Sequence, residues 1–261
     1  MSSIDVKQCC ARLYESELVP RLLGDSFHPG GAALTERLGA VLQLSQDMRV
    51  VDVAAGRGTS ALVLAGRFGC RVTGIDLSSQ NLARAVDDGA VLPHANRLTF
   101  AVGDAERLPF ADASIDAIVC ECAFCTFPDK SAAAREFARV LRPGGRIGIS
   151  DLTRAPNSDV AFADLLSWIA CLSGAMPANG YAEWLVQSGF TNVVIEKHDR
   201  ALVEMINEIG KRLFAVRVLD GLGKVDIPGI DFAAAQRLTR QALDAVTRGD
   251  LGYAIISATR R

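Results

Sequence analysis

The chain has 261 residues, of which 49% are apolar, and its formal net charge is −2. This length can hold one large α/β domain with a sizeable core. Arginine and lysine are scattered along the chain, which argues against a surface for nucleic acid or for an anionic membrane. No apolar run reaches the roughly 18 residues that a spanning helix needs, and the polar, acidic residues 1–5 are not typical of a signal peptide. We therefore expect a cytoplasmic protein that binds neither nucleic acid nor membrane.

Seven cysteines are a high number for such a chain. A cytosolic protein of this size does not normally carry a disulfide framework. Cys122 and Cys125 form one Cys-x-x-Cys pair, but no second pair follows at zinc-finger spacing and histidine is scarce. The thiols therefore predict neither a disulfide scaffold nor a structural zinc site. They are Cys9, Cys10, Cys70, Cys120, Cys122, Cys125 and Cys171.

Residues 4–23 and 32–44 have the apolar spacing of helices, with a turn-rich loop between them. From residue 50 onward, short apolar strands alternate with helices. This alternation predicts an α/β fold with a doubly wound, mostly parallel sheet of seven strands. The predicted strands are 50–53, 71–76, 98–102, 115–120, 146–151, 192–197 and 251–257, and the helices between them are 60–68, 79–89, 129–141, 161–171, 181–187, 201–219 and 232–247.

The order of these elements suggests how the chain is organised. Residues 1–45 would form an N-terminal helical lid, and residues 46–261 would form the main domain. Within that domain, residues 201–248 read as a late helical insertion between the last two strands. We expect this insertion to cover the cofactor end of the sheet or to make a contact between subunits. The oligomeric state does not follow from the sequence.

The stretch Val50–Ser60 reads as an apolar strand, a Gly-x-Gly turn and the start of a helix. Glycine lets the backbone approach a ligand closely, and the free N–H groups of the helix start can face that ligand. The turn and Ala61 satisfy the loose dinucleotide fingerprint, and Asp76 ends the next strand, where an acid can accept hydrogen bonds from a ribose. These residues alone permit NAD, FAD or S-adenosylmethionine.

Three further features narrow this choice. Asp52, four residues before Gly56, would repel a pyrophosphate but suits a cationic sulfonium ligand with its ammonium group. Gly103-Asp104-Ala105 ends the third strand, where the acid can accept a hydrogen bond from an adenine amino group. Leu141-Arg142-Pro143-Gly144-Gly145 precedes the fifth strand. With these features, the part of the chain from Arg49 to Asp151 resembles the class I S-adenosylmethionine-dependent methyltransferases.

This resemblance implies a Rossmann-like methyltransferase fold, methyltransferase activity and S-adenosylmethionine as the cofactor. It implies a methionine-binding turn, an acid on the ribose hydroxyls, an apolar side chain on the adenine face and a segment at 120–122 beside the transferable methyl group. The expected cofactor contacts are Asp52, Ala54, Gly56, Gly58, Thr59, Asp76, Leu77, Asp104, Ala105 and Glu121.

The acceptor has to be read from other residues, because the cofactor turn does not specify it. Three thiols lie within residues 120–130, which follow the fourth strand, and Cys171 lies farther along. These segments resemble the arsenite methyltransferase family, which has a cysteine six residues before Pro-Asp-Lys, matched by Cys122, and a second in a Cys-Ile-x-Gly-Ala-like segment, matched by Cys171. Trivalent arsenic is thiophilic, and its lone pair can attack a methyl group without a base. The first hypothesis is therefore an arsenite-like acceptor held by these two thiols.

Other interpretations stay open. Phe124 and Phe127 suit an organic acceptor that is methylated on carbon, oxygen or nitrogen, because free cysteine is often only a small buried hydrophobe. A third hypothesis is a non-catalytic cofactor-binding sensor that uses its thiols. His28 precedes a glycine pair and could act as a base or an orienting group over the cofactor, or could simply cap a helix. Cys9 and Cys10 could add a further thiol to the site.

Overall fold

A computed structural model of the chain describes Glu15, Gly24 and residues 26–158, 174–221 and 231–261, and gives the backbone alone for 219–221. The predicted helix 161–171 and nearly all of the predicted helix 4–23 lie outside these residues. Three thiols of the sequence-based hypotheses also lie outside them, namely Cys9, Cys10 and Cys171. The elements below are numbered within the described part of the chain.

Strands and helices alternate through most of the described residues. The strands are β1 Arg49–Val53, β2 Arg71–Asp76, β3 Leu98–Val102, β4 Ile115–Glu121, β5 Leu141–Arg154, β6 Phe190–Lys197 and β7 Leu251–Arg260. The α-helices are α1 Gly31–Val41, α2 Thr59–Phe68, α3 Ser79–Ala90, α4 Lys130–Val140, α5 Ala178–Gln187, α6 Asp199–Gly221 and α7 Phe232–Arg248. Short 3-10 turns occur at Ala95–Arg97 and Phe124–Thr126.

The strands form one seven-stranded sheet in the order β3-β2-β1-β4-β5-β7-β6. Strands β1 to β5 are parallel, whereas β7 runs antiparallel to both of its neighbours, β5 and β6. The mostly parallel, Rossmann-like sheet predicted from the sequence is therefore confirmed. The order reverses between β1 and β4, and ligands of open α/β sheets bind in the crevice at such a reversal, beyond the carboxyl ends of the strands.

The central strands are buried on both faces, as their near-continuous apolar sequences require. In β1, Val50, Val51 and Val53 are almost completely buried, and burying each such side chain stabilises the fold by about 1.5–3 kcal/mol. Side-chain caps define several helix starts. The Ser78 hydroxyl, for example, accepts a 3.0 Å hydrogen bond from the Asn81 N–H at the start of α3.

The structure differs from the predicted boundaries mainly around β5 and β7. Helix α4 ends at Val140 because Leu141 already pairs with Ile115 of β4, and Arg142 precedes a proline, which disfavours helical backbone. Strand β5 therefore starts earlier than predicted, and it continues to Arg154 because β7 pairs with its residues 146–154. Strand β7 itself extends to Arg260 because β6 pairs with its other edge.

Two long helices, α6 and α7, lie between β6 and β7 in the chain and pack on each other and on β7. Helix α1 packs against α2 and β5. None of the helices that the structure describes is both long enough and apolar enough to cross a membrane.

Candidate active site

One cavity opens at the carboxyl ends of β1, β2 and β4, where the strand order reverses. It contains about 1180 Å³ of space between protein atoms, part of it open to solvent. Its lining residues are Phe27, His28, Asp52, Ala54, Ala55, Gly56, Arg57, Thr59, Ser60, Ile75, Asp76, Leu77, Asn81, Gly103, Asp104, Ala105, Glu121, Cys122, Ala123, Thr126, Phe127 and Pro128.

Most of the expected cofactor contacts line this cavity, but Gly58 is not among the lining residues. A Cβ built on Gly58 would lie 2.8 Å from the Ala85 Cβ and from the Phe100 ring. This glycine therefore lets the start of α2 lie close to α3 and β3. A Cβ on Gly56, in contrast, would meet only the Phe27 ring, at 4.0 Å, and would project toward the cavity. The two turn positions thus require glycine for different structural reasons.

Asp76 joins the glycine turn to the end of β2. Its Oδ2 accepts a 2.8 Å hydrogen bond from the Gly56 N–H, and its Oδ1 accepts one of 2.8 Å from the Ser78 N–H. Burial raises the pKa of this carboxyl, and the backbone N–H donors offset part of that rise. Each oxygen has a further lone pair, so Asp76 can still accept hydrogen bonds from a ligand. Leu77, 43% exposed, presents an apolar side chain next to it.

Asp52 contributes a buried carboxylate with an unused acceptor. The residue is 2% exposed, and its Oδ2 has no hydrogen-bond partner in the described part of the chain. Burial raises the pKa of Asp52 well above its ordinary value, and the negative charges of Glu121 and Asp76 raise it further. A cationic group in the cavity would satisfy this oxygen and oppose both effects.

A polar network centred on Glu121 lies beneath the cavity. The Thr35 hydroxyl donates to Glu121 Oε2 at 2.9 Å, and the Ser60 hydroxyl donates to the same oxygen at 2.6 Å. The Ser150 hydroxyl donates to Glu121 Oε1 at 3.1 Å and accepts a 3.1 Å bond from the Tyr253 hydroxyl. The network therefore connects α1, α2, β4, β5 and β7. Thr35, Ser150 and Tyr253 were not predicted as site residues, because no local motif contains them.

His28 lies over this network and lines the cavity. Its Nε2 is 3.5 Å from Glu121 Oε2 and 3.3 Å from the Thr35 hydroxyl, and its Nδ1 is 3.2 Å from the Pro29 carbonyl oxygen. Both ring nitrogens therefore face oxygens that can accept a hydrogen bond from an N–H. Among the described lining residues, His28 is the one imidazole. His94 contacts the Leu62 carbonyl instead.

Comparisons with known proteins find several methyltransferases. A family model described as a methyltransferase domain matches residues 51–149. The chain is 32% identical to the 27-O-demethylrifamycin SV methyltransferase of Amycolatopsis mediterranei, over 54% of this chain and 57% of that protein. It is 32% identical to the O-methyltransferase cnsE of Penicillium expansum, over 88% of this chain and 78% of that protein. An arsenite methyltransferase of Halobacterium salinarum is 30% identical over 74% of this chain and 52% of that protein.

The solved structure of phosphoethanolamine N-methyltransferase 2 from Haemonchus contortus with S-adenosyl-L-methionine has a TM-score of 0.81 and 19% identity, over 98% of this chain and 60% of that chain. This likeness shows the fold. The Penicillium relative decides the family, because its similarity spans most of both chains. The chain belongs to the class I S-adenosylmethionine-dependent methyltransferases. S-adenosylmethionine is the cofactor of this family. The chain spans only a little over half of the Amycolatopsis and Halobacterium relatives.

The cavity of this methyltransferase fits S-adenosylmethionine. Asp52 Oδ2 offers a buried acceptor to a cationic group, and Gly56 leaves open the space that a Cβ would take. Ala54, Thr59 and Ala105 also line the cavity. Asp104 also lines it, while its Oδ1 accepts a 2.9 Å bond from the Glu106 N–H.

The described thiols of the methyltransferase divide into one at the site and three in the core. Cys122 is half-buried, lines the cavity and has a positive φ of 50°, and its N–H donates to the Ser150 carbonyl at 2.7 Å. Cys70, Cys120 and Cys125 are buried, and burial raises the pKa of Cys70 to about 11. Within the described ranges, no group of three or more His, Cys, Asp or Glu residues could hold a metal ion.

Asp151, at the acceptor end of β5, is a structural acid. Its Oδ2 accepts a 2.8 Å hydrogen bond from the Cys125 N–H, and its Oδ1 accepts a 2.8 Å bond from the Leu152 N–H. The residue is completely buried. It therefore holds the loop after β4, which carries Cys122 and Phe127 to the cavity wall.

Proposed function

We propose that this methyltransferase methylates a hydroxyl oxygen of a small, largely apolar organic molecule. The observation that carries the proposal is the position of His28, whose imidazole shares a cavity with the residues expected to contact the cofactor. A hydroxyl acceptor has to lose a proton when it is methylated, and an imidazole is the side chain best suited to take it near neutral pH.

The residues around His28 support this role. In the neutral ring, Nδ1–H would donate to the Pro29 carbonyl 3.2 Å away, and Nε2 would take the proton of the acceptor hydroxyl. The new Nε2–H would then lie 3.5 Å from Glu121 Oε2, whose negative charge would stabilise the imidazolium. When bound, S-adenosylmethionine supplies an electrophilic methyl group on a positively charged sulfur. Glu121 is itself held by three hydroxyl donors, so it can orient the imidazole.

The remaining wall of the cavity suits an apolar acceptor. Phe27, Ala123, Phe127 and Pro128 line it beside Cys122. Water exclusion and alignment by such a wall can supply much of the rate of a displacement reaction. The name of the Penicillium relative, an O-methyltransferase similar over most of this chain, also supports the proposal.

The test is methyl transfer from labelled cofactor to a panel of phenols and hydroxylated apolar molecules, with arsenite plus glutathione as a further acceptor. We expect turnover with a hydroxyl acceptor, and we expect His28→Ala to lower kcat by about 10²–10⁴-fold. His94→Ala is the matched control, because His94 lies outside the cavity lining. Full turnover by His28→Ala, or methylation of arsenite alone, would overturn the proposal.

A second candidate acceptor is thiol-bound arsenite. The half-buried Cys122 on the cavity wall favours it, as does the similarity to a protein named arsenite methyltransferase. Cys171, the second expected ligand, lies outside the described residues. If this candidate is correct, Cys122→Ala abolishes arsenite methylation, whereas Cys70→Ala, a change in the core, leaves it unaltered. Equal arsenite turnover by wild type and Cys122→Ala would rule it out.

A further inference from the structure

Arg57 lies between the two glycines of the turn and lines the cavity. Its Nε and Nη2 atoms are buried and have no hydrogen-bond partner in the part of the chain that the structure describes. Guanidinium stays charged in proteins, and buried donors without partners are costly. We propose that Arg57 binds the carboxylate of the cofactor's methionine end, opposite the ammonium group that Asp52 accepts.

The two unpartnered atoms are the ones that such a contact needs. Nε–H and the adjacent Nη2–H point from the same edge of the guanidinium plane, and this edge binds a carboxylate through two parallel hydrogen bonds. The Cζ atom of Arg57 lies 5.8 Å from the centroid of the Phe27 ring, within the range of a cation–π contact. Phe27 therefore helps to hold the guanidinium in place before a ligand arrives.

Asp52 supplies the complementary charge. Its unpartnered Oδ2 lies in the same cavity wall, at the end of the strand that leads into the turn. An α-amino acid carries an ammonium and a carboxylate group on one carbon atom. One zwitterion can therefore satisfy both unpartnered groups, whereas a purely cationic or purely anionic ligand would satisfy one of them.

The charge of the cavity favours the cofactor over an anionic acceptor as the partner of Arg57. The lining contains four carboxylates, from Asp52, Asp76, Asp104 and Glu121, and Arg57 is the one arginine or lysine among the described lining residues. An acceptor with a free carboxylate or phosphate would be repelled by these four carboxylates. The carboxylate of S-adenosylmethionine belongs to a molecule that also carries an ammonium and a sulfonium charge, so the net repulsion is smaller.

The test measures binding without any methyl acceptor, so its outcome does not depend on the proposed O-methylation. Calorimetry would compare S-adenosylhomocysteine with three truncated ligands, which lack the carboxylate, the amino group, or both as in 5′-methylthioadenosine. We expect wild type to bind the decarboxylated ligand roughly tenfold to a hundredfold more weakly than S-adenosylhomocysteine. Equal wild-type binding of these two ligands would by itself overturn the proposal, whether or not any variant folds.

Arg57→Met should weaken the binding of S-adenosylhomocysteine by the same factor, and it should change the Kd of 5′-methylthioadenosine by no more than about threefold. The preference for a ligand with a carboxylate should therefore disappear. Arg57→Lys should retain part of it, because lysine keeps the charge without the fork. Arg67→Met is the matched control, since Arg67 is an exposed residue of α2. If Arg57→Met weakens both ligands equally, the residue is structural, and if it retains the preference, the carboxylate binds elsewhere. Either result contradicts the proposal.

Discussion

The carboxylate of Asp76 accepts a 2.8 Å hydrogen bond from the backbone N–H of Gly56. This contact joins the end of β2 to the turn that follows β1. An acid expected to contact only the ribose therefore also shapes the turn beneath the methionine part of the cofactor. The second oxygen of the same carboxylate accepts a hydrogen bond from the Ser78 N–H at the start of α3. Asp76 therefore connects three segments of the cavity wall: the end of β2, the turn after β1 and the start of α3.

Asp76→Asn tests this double role. The amide NH₂ would have to face one of two backbone N–H donors, so one hydrogen bond is lost and the turn shifts. We expect the Kd of S-adenosylhomocysteine to rise by about tenfold or more, since a lost charged hydrogen bond is worth roughly 1.5–3 kcal/mol. Calorimetry measures this change, and Asp87→Asn, on the exposed face of α3, is the control. An unchanged Kd would contradict the role of Asp76.

The two turn glycines should respond differently to alanine. Gly58→Ala places a Cβ 2.8 Å from Ala85 and Phe100 at a φ of +74°, and we expect the free energy of unfolding to fall by about 1–3 kcal/mol from overpacking. Gly56→Ala also places a side chain at a positive φ, +53°, but its Cβ meets only Phe27, at 4.0 Å. It should therefore lose less stability than Gly58→Ala and bind the cofactor about tenfold more weakly. Thermal melts and calorimetry distinguish the two. A cofactor-binding defect without a stability loss in Gly58→Ala would reverse this assignment.

Asp52→Asn should change the pH dependence of stability without ligand. The pKa of Asp52 in the folded protein lies well above its ordinary value of 3.8. The folded protein therefore binds more protons than the unfolded chain between these two values, and stability falls as pH rises through that window. Asparagine cannot ionise, so the variant should melt at a higher temperature than wild type near pH 7, and the difference should vanish near pH 4. A wild-type advantage at pH 7 would contradict the role of burial.

Arg139 should stabilise the folded protein more at neutral pH than at acidic pH. It donates to Glu136 and Asp112 and to the Leu108 and Phe110 carbonyls, and its hydrogen bond lowers the pKa of Glu136 from 4.5. A lowered carboxylate pKa stabilises the fold above about pH 4.5, and this contribution is lost as pH falls through the folded value. Arg139→Met should therefore destabilise the protein by roughly 1–3 kcal/mol at pH 7, and the difference should narrow in acid.

Denaturant unfolding at pH 7 and below pH 4.5 measures this effect of Arg139. Arg135→Met is a suitable control, since Arg135 lies on the same helix and is exposed. A pH-independent difference between wild type and Arg139→Met would mean that packing of the side-chain stem dominates.

The first half of the fold could be read from the sequence because each signal is local. The apolar run at Val50, the glycine at 56 and the acid at 76 follow one another along the chain, and the structure brings them to one cavity. The Glu121 network could not be predicted in this way. Its donors Ser150 and Tyr253 come from β5 and β7, and only the tertiary fold brings those strands together.

Two other features escaped sequence reasoning for different physical reasons. Gly58 belongs to the same motif as Gly56, but motif spacing cannot reveal that its Cα faces Phe100 rather than the cavity. Arg57 occupies a variable position of the turn, so no pattern points to it. Its unpartnered Nε and Nη2 are visible only once the surrounding wall is built. The family and the cofactor predicted from the sequence are confirmed, while the acceptor remains a proposal.

Strand β7 inserts between β5 and β6, and in the described sheet β6 pairs with β7 alone. Residues 190–197 leave the ribosome before 251–260 but have no strand to join until the later segment arrives. Until then β5 presents an unpaired edge, which is a template for association with other chains. Because such long-range pairing is slow to form, we expect the yield of correctly folded enzyme to depend on how quickly β7 reaches β5.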